Sequence, residues 1–463
     1  MTKIGIDDMA FYVPNLYLDI EDLAQARNIE YAKLNKGLGL KTMSLIDVNE
    51  DASSMAANAI LSLIEKNNLK PSDIGRIYVG SESATDGAKP IASYVVSMLS
   101  DYFKEEFGEK SFMHTDCVDM TFACIAGIDA MHTIIDWVKA DNERVGIVVA
   151  TDNAKYELES TGEYTQGAGA VASLIKANPR LISFSKEVGV SAIGEHDFFK
   201  PLRKVKRNTL INEKEAKDIP NIISSKDEYL EIHKIFPVFD GQYSNKCYSN
   251  RMSEAYNHFE EQKSSHNLEN WNKIIFHLPY AFHGKRAFAE VFWDTYKTNS
   301  RLKQELLALD SNFENAPNPK LVTKTPMYKE FVNSKVEKGQ RASSYIGNMY
   351  TASIFMSLMS MLESELNENV EIAGETIGFC AYGSGSKSKV FEGEVQENWK
   401  DVVSKFNLFE SLKTREAISF NTYEKLHAEQ LEKNIQLPVN KFYLNDISEN
   451  ADLYGVRTYR FAK

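Results

Sequence analysis

The same order of parts occurs twice along this 463-residue chain. A short apolar run ends at a titratable side chain, a long helix starts at a thiol or an amide, and a strand then adjoins small residues. In the first half these parts are Ile77-Tyr78-Val79 ending at Gly80-Ser81-Glu82, the helix after Cys124, and Gly167-Ala168-Gly169-Ala170. In the second they are Ile274-Ile275-Phe276 ending at His277, the helix after Asn348, and Thr376 to Ala381 running into Gly383-Ser384-Gly385-Ser386. Alternating strands and amphipathic helices layer helices onto a sheet. Repeating the unit predicts a duplicated α/β architecture whose halves, 1–176 and 177–463, are related by a pseudo-two-fold axis.

The spacing agrees in one place and fails in another. Cys124 to Gly167 is 43 residues and Asn348 to Gly383 is 35, but Glu82 to Cys124 is 42 against 71 for His277 to Asn348. The excess falls near 309–340, rich in Asn, Pro, Lys and Glu, which reads as a surface insertion. The stretch 201–235 is charged and aperiodic and reads as a crossover or lid. Ser111 to Thr115 reads as the strand before Cys124. Ile128, Met131 and Ile135 then recur at helical spacing and turn one face inward. The helix after Asn348 is apolar nearly all round, as the centre of a layered fold requires.

Composition narrows the function. A net charge of −12 disfavours nucleic acid and anionic lipid, both polyanions that need clustered Lys and Arg. The first residues carry acids where a signal peptide needs an apolar core, and no stretch is long enough to span a bilayer, so a cytoplasmic protein is expected. Cys117, Cys124, Cys247 and Cys380 fit neither a disulfide framework nor a metal spacing; no metal and no cofactor are expected.

Each candidate also has a plain reading. Cys124, where a helix begins, is placed for a thiolate with a lowered pKa, yet isolated cysteines are mostly core residues. Glu82 can be a solvated loop carboxylate, His277 a core imidazole bonded to backbone, and Asn348 a helix N-cap. Gly383-Ser384-Gly385-Ser386 can be a hairpin turn, and it lacks the spacing of a phosphate loop. The basic run Lys200, Arg203, Lys204, Lys206 and Arg207 reads equally as a solvated face or as a phosphate contact.

Read together, these residues resemble 3-hydroxy-3-methylglutaryl-coenzyme A synthase, of the thiolase fold superfamily. The resemblance extends over nearly the whole chain: Glu82 with Asp86, Ala123-Cys124, Thr151-Asp152, Gly162-Glu163-Tyr164-Thr165, Asp197-Phe198-Phe199-Lys200-Pro201, Phe239-Asp240-Gly241 with Ser244, His277-Leu278-Pro279-Tyr280, Gly347-Asn348-Met349-Tyr350 and Tyr382-Gly383-Ser384. It implies the layered α-β-α-β-α thiolase-like fold. It implies that Cys124 accepts an acetyl group from acetyl-CoA and that Glu82 removes a proton from the acetyl methyl. Acetoacetyl-CoA would be held by His277 and Asn348, with amides near Cys124 and Ser384 as the oxyanion site. Thr165, Ser244, Asp152, Asp197, Asp86, Arg286 and Lys200 are its further substrate-binding candidates.

The chain departs from the family in places. The lysine usually found five residues after the histidine is Phe282, with a basic residue at Arg286, and Thr121-Phe122 replaces a more polar pair before the cysteine. These changes suit a relative that acts on an acyl carrier protein in polyketide β-branching, the main alternative. A ketoacyl synthase shares cysteine, histidine and asparagine but not Glu82, and a non-catalytic acyl-binding scaffold needs no reactive thiol. The resemblance also implies a homodimer paired edge to edge through the sheet.

Overall fold

The computed structural model describes residues 2–210, 228–263, 267–313, 318–450 and 452–463. Among them, nine strands form one large sheet: β1 (Ile4–Tyr12), β2 (Arg76–Gly80), β3 (Asp116–Met120), β4 (Gly146–Ala154), β5 (Gly167–Ala177), β6 (Ile182–Ala192), β7 (Lys273–Phe276), β8 (Thr376–Gly383) and β9 (Lys387–Val395). Their order across the sheet is β7-β8-β9-β6-β1-β5-β4-β2-β3. The middle is the short antiparallel contact of β1 with β6, where Gly5 faces Ser183.

Outward from that contact the two directions repeat. β1–β5 and β5–β4 are antiparallel and β4–β2 is parallel. Likewise β6–β9 and β9–β8 are antiparallel and β8–β7 is parallel. β3 continues the first half only, parallel to β2. Parallel strands cannot be joined by a tight turn and need crossover connections, and these carry helices that cover both faces.

Five helices set the layers: α1 (Ala52–Asn67), α2 (Ile91–Tyr102), α3 (Ala126–Lys139), α4 (Gly241–Gln262) and α5 (Ser353–Asn367). α1 packs on β1, β5 and β4, and α4 on the corresponding β6, β9 and β8. α1 begins with a capping box, in which the Ser54 amide donates to Asp51 and the Asp51 amide donates to Ser54, both at 2.9 Å. α2 starts behind Pro90, which has no cap to offer; the Asp119 carboxylate accepts from the amides of Ile91 and Ala92 instead. α3 and α5 form the middle layer, with Ile128, Met131 and Ile135 of one sharing a core with Ile354, Leu358 and Met361 of the other. α5 is buried from Ser353 to Glu365, as its all-round apolar character predicts. The layered, pseudo-symmetric α/β fold is the one expected.

Three local readings differ. The strand before Cys124 is Asp116–Met120, and 111–114 is turn, because Asp116 pairs with Arg76 at the start of β2. The described part of the segment 309–340, residues 309–313 and 318–340, is not a surface appendage. Phe313, Val322, Tyr328 and Phe331 are buried with Phe292 in the core beneath α4, each fully buried apolar side chain contributing about 1.5–3 kcal/mol. Its polar composition belongs to the outer faces of short helices. Within 201–235, Leu202–Lys206 pairs antiparallel with Tyr229–His233. The part of the crossover or lid reading that falls on 211–227 lies outside the described residues.

Candidate active site

The end of β2 delivers Glu82, and one carboxylate holds it there. Asp152 on β4, wholly buried, accepts at Oδ1 from the Glu82 amide at 2.8 Å, from Ser83 Oγ at 2.8 Å and from Ser81 Oγ at 3.1 Å. Its Oδ2 accepts from the amide of Thr351 at 2.9 Å and from Thr351 Oγ1 at 2.5 Å. Asp152 therefore ties the Glu82 loop to the turn that carries Asn348. A buried charge is tolerated only when donors surround it in this way.

Cys124 precedes α3, and Ala123 before it adopts a left-handed φ of 42°. For a residue with a Cβ this conformation stores about 1–3 kcal/mol, a feature that gathers at functional turns. Gly383, at the end of β8, lies against the same turn: a Cβ there would come within 2.6 Å of the Phe122 carbonyl oxygen and 2.8 Å of the Ile125 nitrogen. Only glycine fits where the start of the Ser384 loop packs against the turn that carries Cys124. Asp197 steadies that loop, accepting from the Gly385 amide at 2.8 Å and the Tyr382 hydroxyl at 2.7 Å, while its backbone carbonyl accepts from Ser244 Oγ at 2.6 Å.

His277 is clamped through its backbone. Its amide donates to Cys380 on β8 at 3.0 Å and its carbonyl accepts from the Tyr248 hydroxyl at 2.9 Å. Asn348 follows Gly347, whose φ is 86° and whose Cβ, were there one, would collide with the Gln166 carbonyl oxygen at 1.9 Å. The close approach lets the Asn348 amide donate to Thr165 at 2.9 Å. Asn348 Oδ1 accepts from the Tyr350 amide and from Ser353 Oγ, which closes the turn ahead of the helix; the helix N-cap is Ala352, so Asn348 lines the cavity without being the cap.

These side chains converge. Cys124, His277, Asn348, Ser384, Thr165 and Ser244 line one cavity of about 280 Å³. Its floor is buried at Cys124, His277 and Asn348, and its rim is exposed at Thr161, Asn245 and Arg286. Arg286 donates to the Gly37 carbonyl at 2.5 Å across that rim. Cys124 Sγ donates to Glu82 Oε1 at 2.8 Å, which places thiol and carboxyl in direct contact.

Four expected substrate-binding residues, Asp152, Asp197, Asp86 and Lys200, stand outside this lining. Asp152 and Asp197 act from behind the wall, as described. Asp86 is exposed, and its Oδ1 caps the amides of Ala88 and Lys89 at 2.7 Å, a local turn whose short carboxylate satisfies backbone instead of reaching the cavity. Lys200 sits beside the Glu82 loop, its Nζ 3.4 Å from the Glu82 carbonyl oxygen and 4.9 Å from the centre of the Tyr350 ring. Arg203, Lys204 and Lys206 are exposed, as on a solvated face.

Electrostatics follow from burial. Burial pushes the Glu82 carboxyl up to about 7, opposed by Lys200 and helped by Asp152. Burial, then the Glu82 charge, pushes the Cys124 thiol well above its usual range. The lowered thiol pKa expected from the helix start is thus reversed, because desolvation and an adjacent carboxylate outweigh the helix-end amides. Burial, with His283 close by, lowers His277 to about 3, so its imidazole is neutral.

Tyr156, Tyr248 and His283 line the cavity and were not singled out in the sequence. Tyr248 was within reach, since it lies one helical turn from Ser244 and shares its face. His283, six residues beyond His277, had no such partner.

Residues 1–179 match the family model for the Hydroxymethylglutaryl-coenzyme A synthase N terminal, and residues 230–451 match that for its C terminal. The Hydroxymethylglutaryl-CoA synthase of Haloferax volcanii is 31% identical over 443 residues, covering 92% of each chain. The chain belongs to the hydroxymethylglutaryl-CoA synthase family. As a member it is an acyltransferase that condenses acetyl-CoA with acetoacetyl-CoA and releases 3-hydroxy-3-methylglutaryl-CoA and CoA, a step of the mevalonate pathway. A solved structure described as MvaS in complex with 3-hydroxy-3-methylglutaryl coenzyme A is similar at a TM-score of 0.77 and 28% identity, covering 100% of both chains. The Curacin Biosynthetic Pathway HMG Synthase in complex with Holo Donor-ACP shares the fold at a TM-score of 0.76 and 20% identity, covering 99% of this chain and 100% of that one. Among the described residues no helix is long and apolar enough to cross a membrane, and no cluster of His, Cys, Asp or Glu is arranged to hold a metal.

Proposed function

We propose that Cys124, Glu82 and His277 carry out the condensation as one site, with coenzyme A thioesters as the physiological substrates. The 2.8 Å contact from Cys124 Sγ to Glu82 Oε1 carries this reading. In the first step the thiol attacks the acetyl carbonyl of acetyl-CoA, an acetyl thioester forms on Sγ, and the thiol proton leaves with the CoA thiolate as CoA–SH. Glu82, next to the new thioester, then takes a proton from the acetyl methyl while amides near Cys124 and Ser384 hold the enolate oxygen.

The enolate carbon bonds to C3 of acetoacetyl-CoA. Neutral His277 and the Nδ2 end of Asn348 would hold that ketone, since Asn348 Oδ1 is engaged with Tyr350 and Ser353. Glu82 returns the proton to the tertiary alkoxide. His277 is the weaker candidate for that step because it takes up a proton only near 3, whereas Glu82 titrates near 7. Water then cleaves the Sγ thioester and restores the thiol. Thr165 and Ser244 would line the acyl chain, Asp152, Asp197 and Lys200 would position the groups that touch it, Arg286 would meet phosphate at the rim, and no cofactor enters any step.

Greater likeness to the Haloferax volcanii relative than to the curacin synthase supports coenzyme A over a carrier protein. Turnover of acetoacetyl-CoA should exceed that of acetoacetyl carrier protein; a strong preference for the carrier would overturn this choice. We place the boundary between the two halves near 176 and the protein in the cytoplasm. We also propose a homodimer through β3, an edge strand on which Val118 is 37% exposed. An exposed edge with an apolar side chain is a template for pairing. Sedimentation should give about twice the 52.4 kDa chain mass, and Val118→Asp should shift it toward the monomer; a wild-type monomer at micromolar concentration would exclude the pairing.

A further inference from the structure

His283 is 4% exposed, lines the same cavity as Cys124, and neither of its ring nitrogens has a hydrogen-bond partner among the described residues. Its backbone is fixed, the amide donating to the Tyr280 carbonyl at 2.9 Å. Its ring is gripped edge-on by Tyr248 at 4.3 Å and by Tyr280 at 4.8 Å. Burial keeps the imidazole neutral, so it presents one N–H and one bare nitrogen. A buried donor and acceptor left unpaired are costly, and a native protein retains such a pair where something else completes it.

The position says what completes it. Arg286 lies three residues further along the short helix His283–Ala287, on the same face, and is exposed at the rim. His277 and Cys124 lie at the floor. His283 thus lines, from a buried position, the cavity that joins the rim at Arg286 to the floor at Cys124 and His277. A pantetheine arm is built to that plan, with a phosphate end, a thiol end and secondary amides between, each amide offering one C=O and one N–H.

We propose that His283 is a binding residue for an amide of the pantetheine arm, donating to its carbonyl or accepting from its N–H. This rests on the thioester reading of the site and adds a residue that fixes the arm's depth, so that the acyl carbon arrives at Cys124. Both coenzyme A and a phosphopantetheinylated carrier protein present this arm.

The test uses the 463-residue protein, His283→Met and His283→Gln. Calorimetry with pantetheine itself should show His283→Met weaker by about five- to tenfold, the worth of one hydrogen bond, with His283→Gln recovering most of the loss. KM for acetoacetyl-CoA should rise by a similar factor while kcat stays within about twofold. Repeating the kinetics with CoA and with carrier-bound substrate identifies which source the wild type uses. A His283→Met protein that melts no lower than wild type and binds pantetheine equally well would overturn the proposal. Should that variant fail to fold, pantetheine added to the wild type must shift the His283 ring-nitrogen NMR signals; unshifted signals would also overturn it. Failure of the wild type to condense the two CoA substrates would instead count against the thioester reading, leaving the pantetheine affinities to decide the role of His283.

Discussion

Cys124→Ala is expected to form no acetyl-enzyme and to lose about 10⁴-fold or more in kcat, the scale seen when a covalent nucleophile is removed. The loss is large because every later step takes place on an acyl group held by Sγ, and no neighbouring group can substitute. Cys247 is buried on the inner face of α4, Cys380 is buried on β8, and Cys117 lies on the edge strand β3. Burial raises the pKa of both Cys117 and Cys380. Intact-protein mass spectrometry after mixing with acetyl-CoA should show an acetyl adduct on the wild type and none on the variant. The fold should survive, since alanine removes one small polar atom from a site already 8% exposed. An acetyl adduct of equal yield on Cys124→Ala would mean that another residue is the acceptor.

Glu82→Gln should separate the two halves of the reaction. Condensation is expected to fall by about 10²–10⁴-fold, the usual worth of a positioned base. Acetylation of Cys124 is expected to persist, because removing the Glu82 charge also removes one of the causes that hold the thiol pKa up. In the wild type, Glu82 must be ionised to act as base, so kcat should drop on the acid side of about 7. In the variant that limb should vanish.

The same substitution has a stability consequence of opposite sign. The folded chain holds the Glu82 proton up to about 7 and the unfolded chain only up to 4.5, so the folded form binds more protons between those values. Stability therefore falls as pH rises through that window. Glu82→Gln should be more stable than wild type above about 7, and the difference should disappear below 4.5. Denaturant midpoints at the two ends would show it. Stability given up at a working carboxyl is a common feature of active sites.

Much of this was legible in the residues. The repeated strand-end, helix-start and small-residue-turn pattern is local information, and it maps onto two runs of strands with matching pairing. Cys124, His277 and Asn348 are legible because each stands near the end of an element, where backbone geometry points side chains into a common cavity, and Glu82, at a strand end outside that lining, meets it through Cys124. What was not legible depends on the third dimension. The thiol pKa reverses direction because Glu82, 42 residues away in sequence, is 2.8 Å away in space. The place of Asp86 is likewise set by its surroundings and not by its residue type, since that carboxylate caps its own turn. The 309–340 segment looked like surface because its polar residues outnumber its apolar ones, yet the apolar minority is spaced to bury one face of each short helix. His283 gave no signal, since a histidine without partners is recognised only when its surroundings are seen.

A pulse of acetyl-labelled acetyl-CoA, quenched rapidly and followed by a chase of acetoacetyl-CoA, tests most directly whether thiol and carboxyl divide the work of one cavity. In the wild type the label should appear on Cys124 and pass into 3-hydroxy-3-methylglutaryl-CoA, and in Glu82→Gln it should remain on Cys124. Label that leaves Glu82→Gln for product as fast as it leaves the wild type, or that never appears on Cys124, would contradict the account.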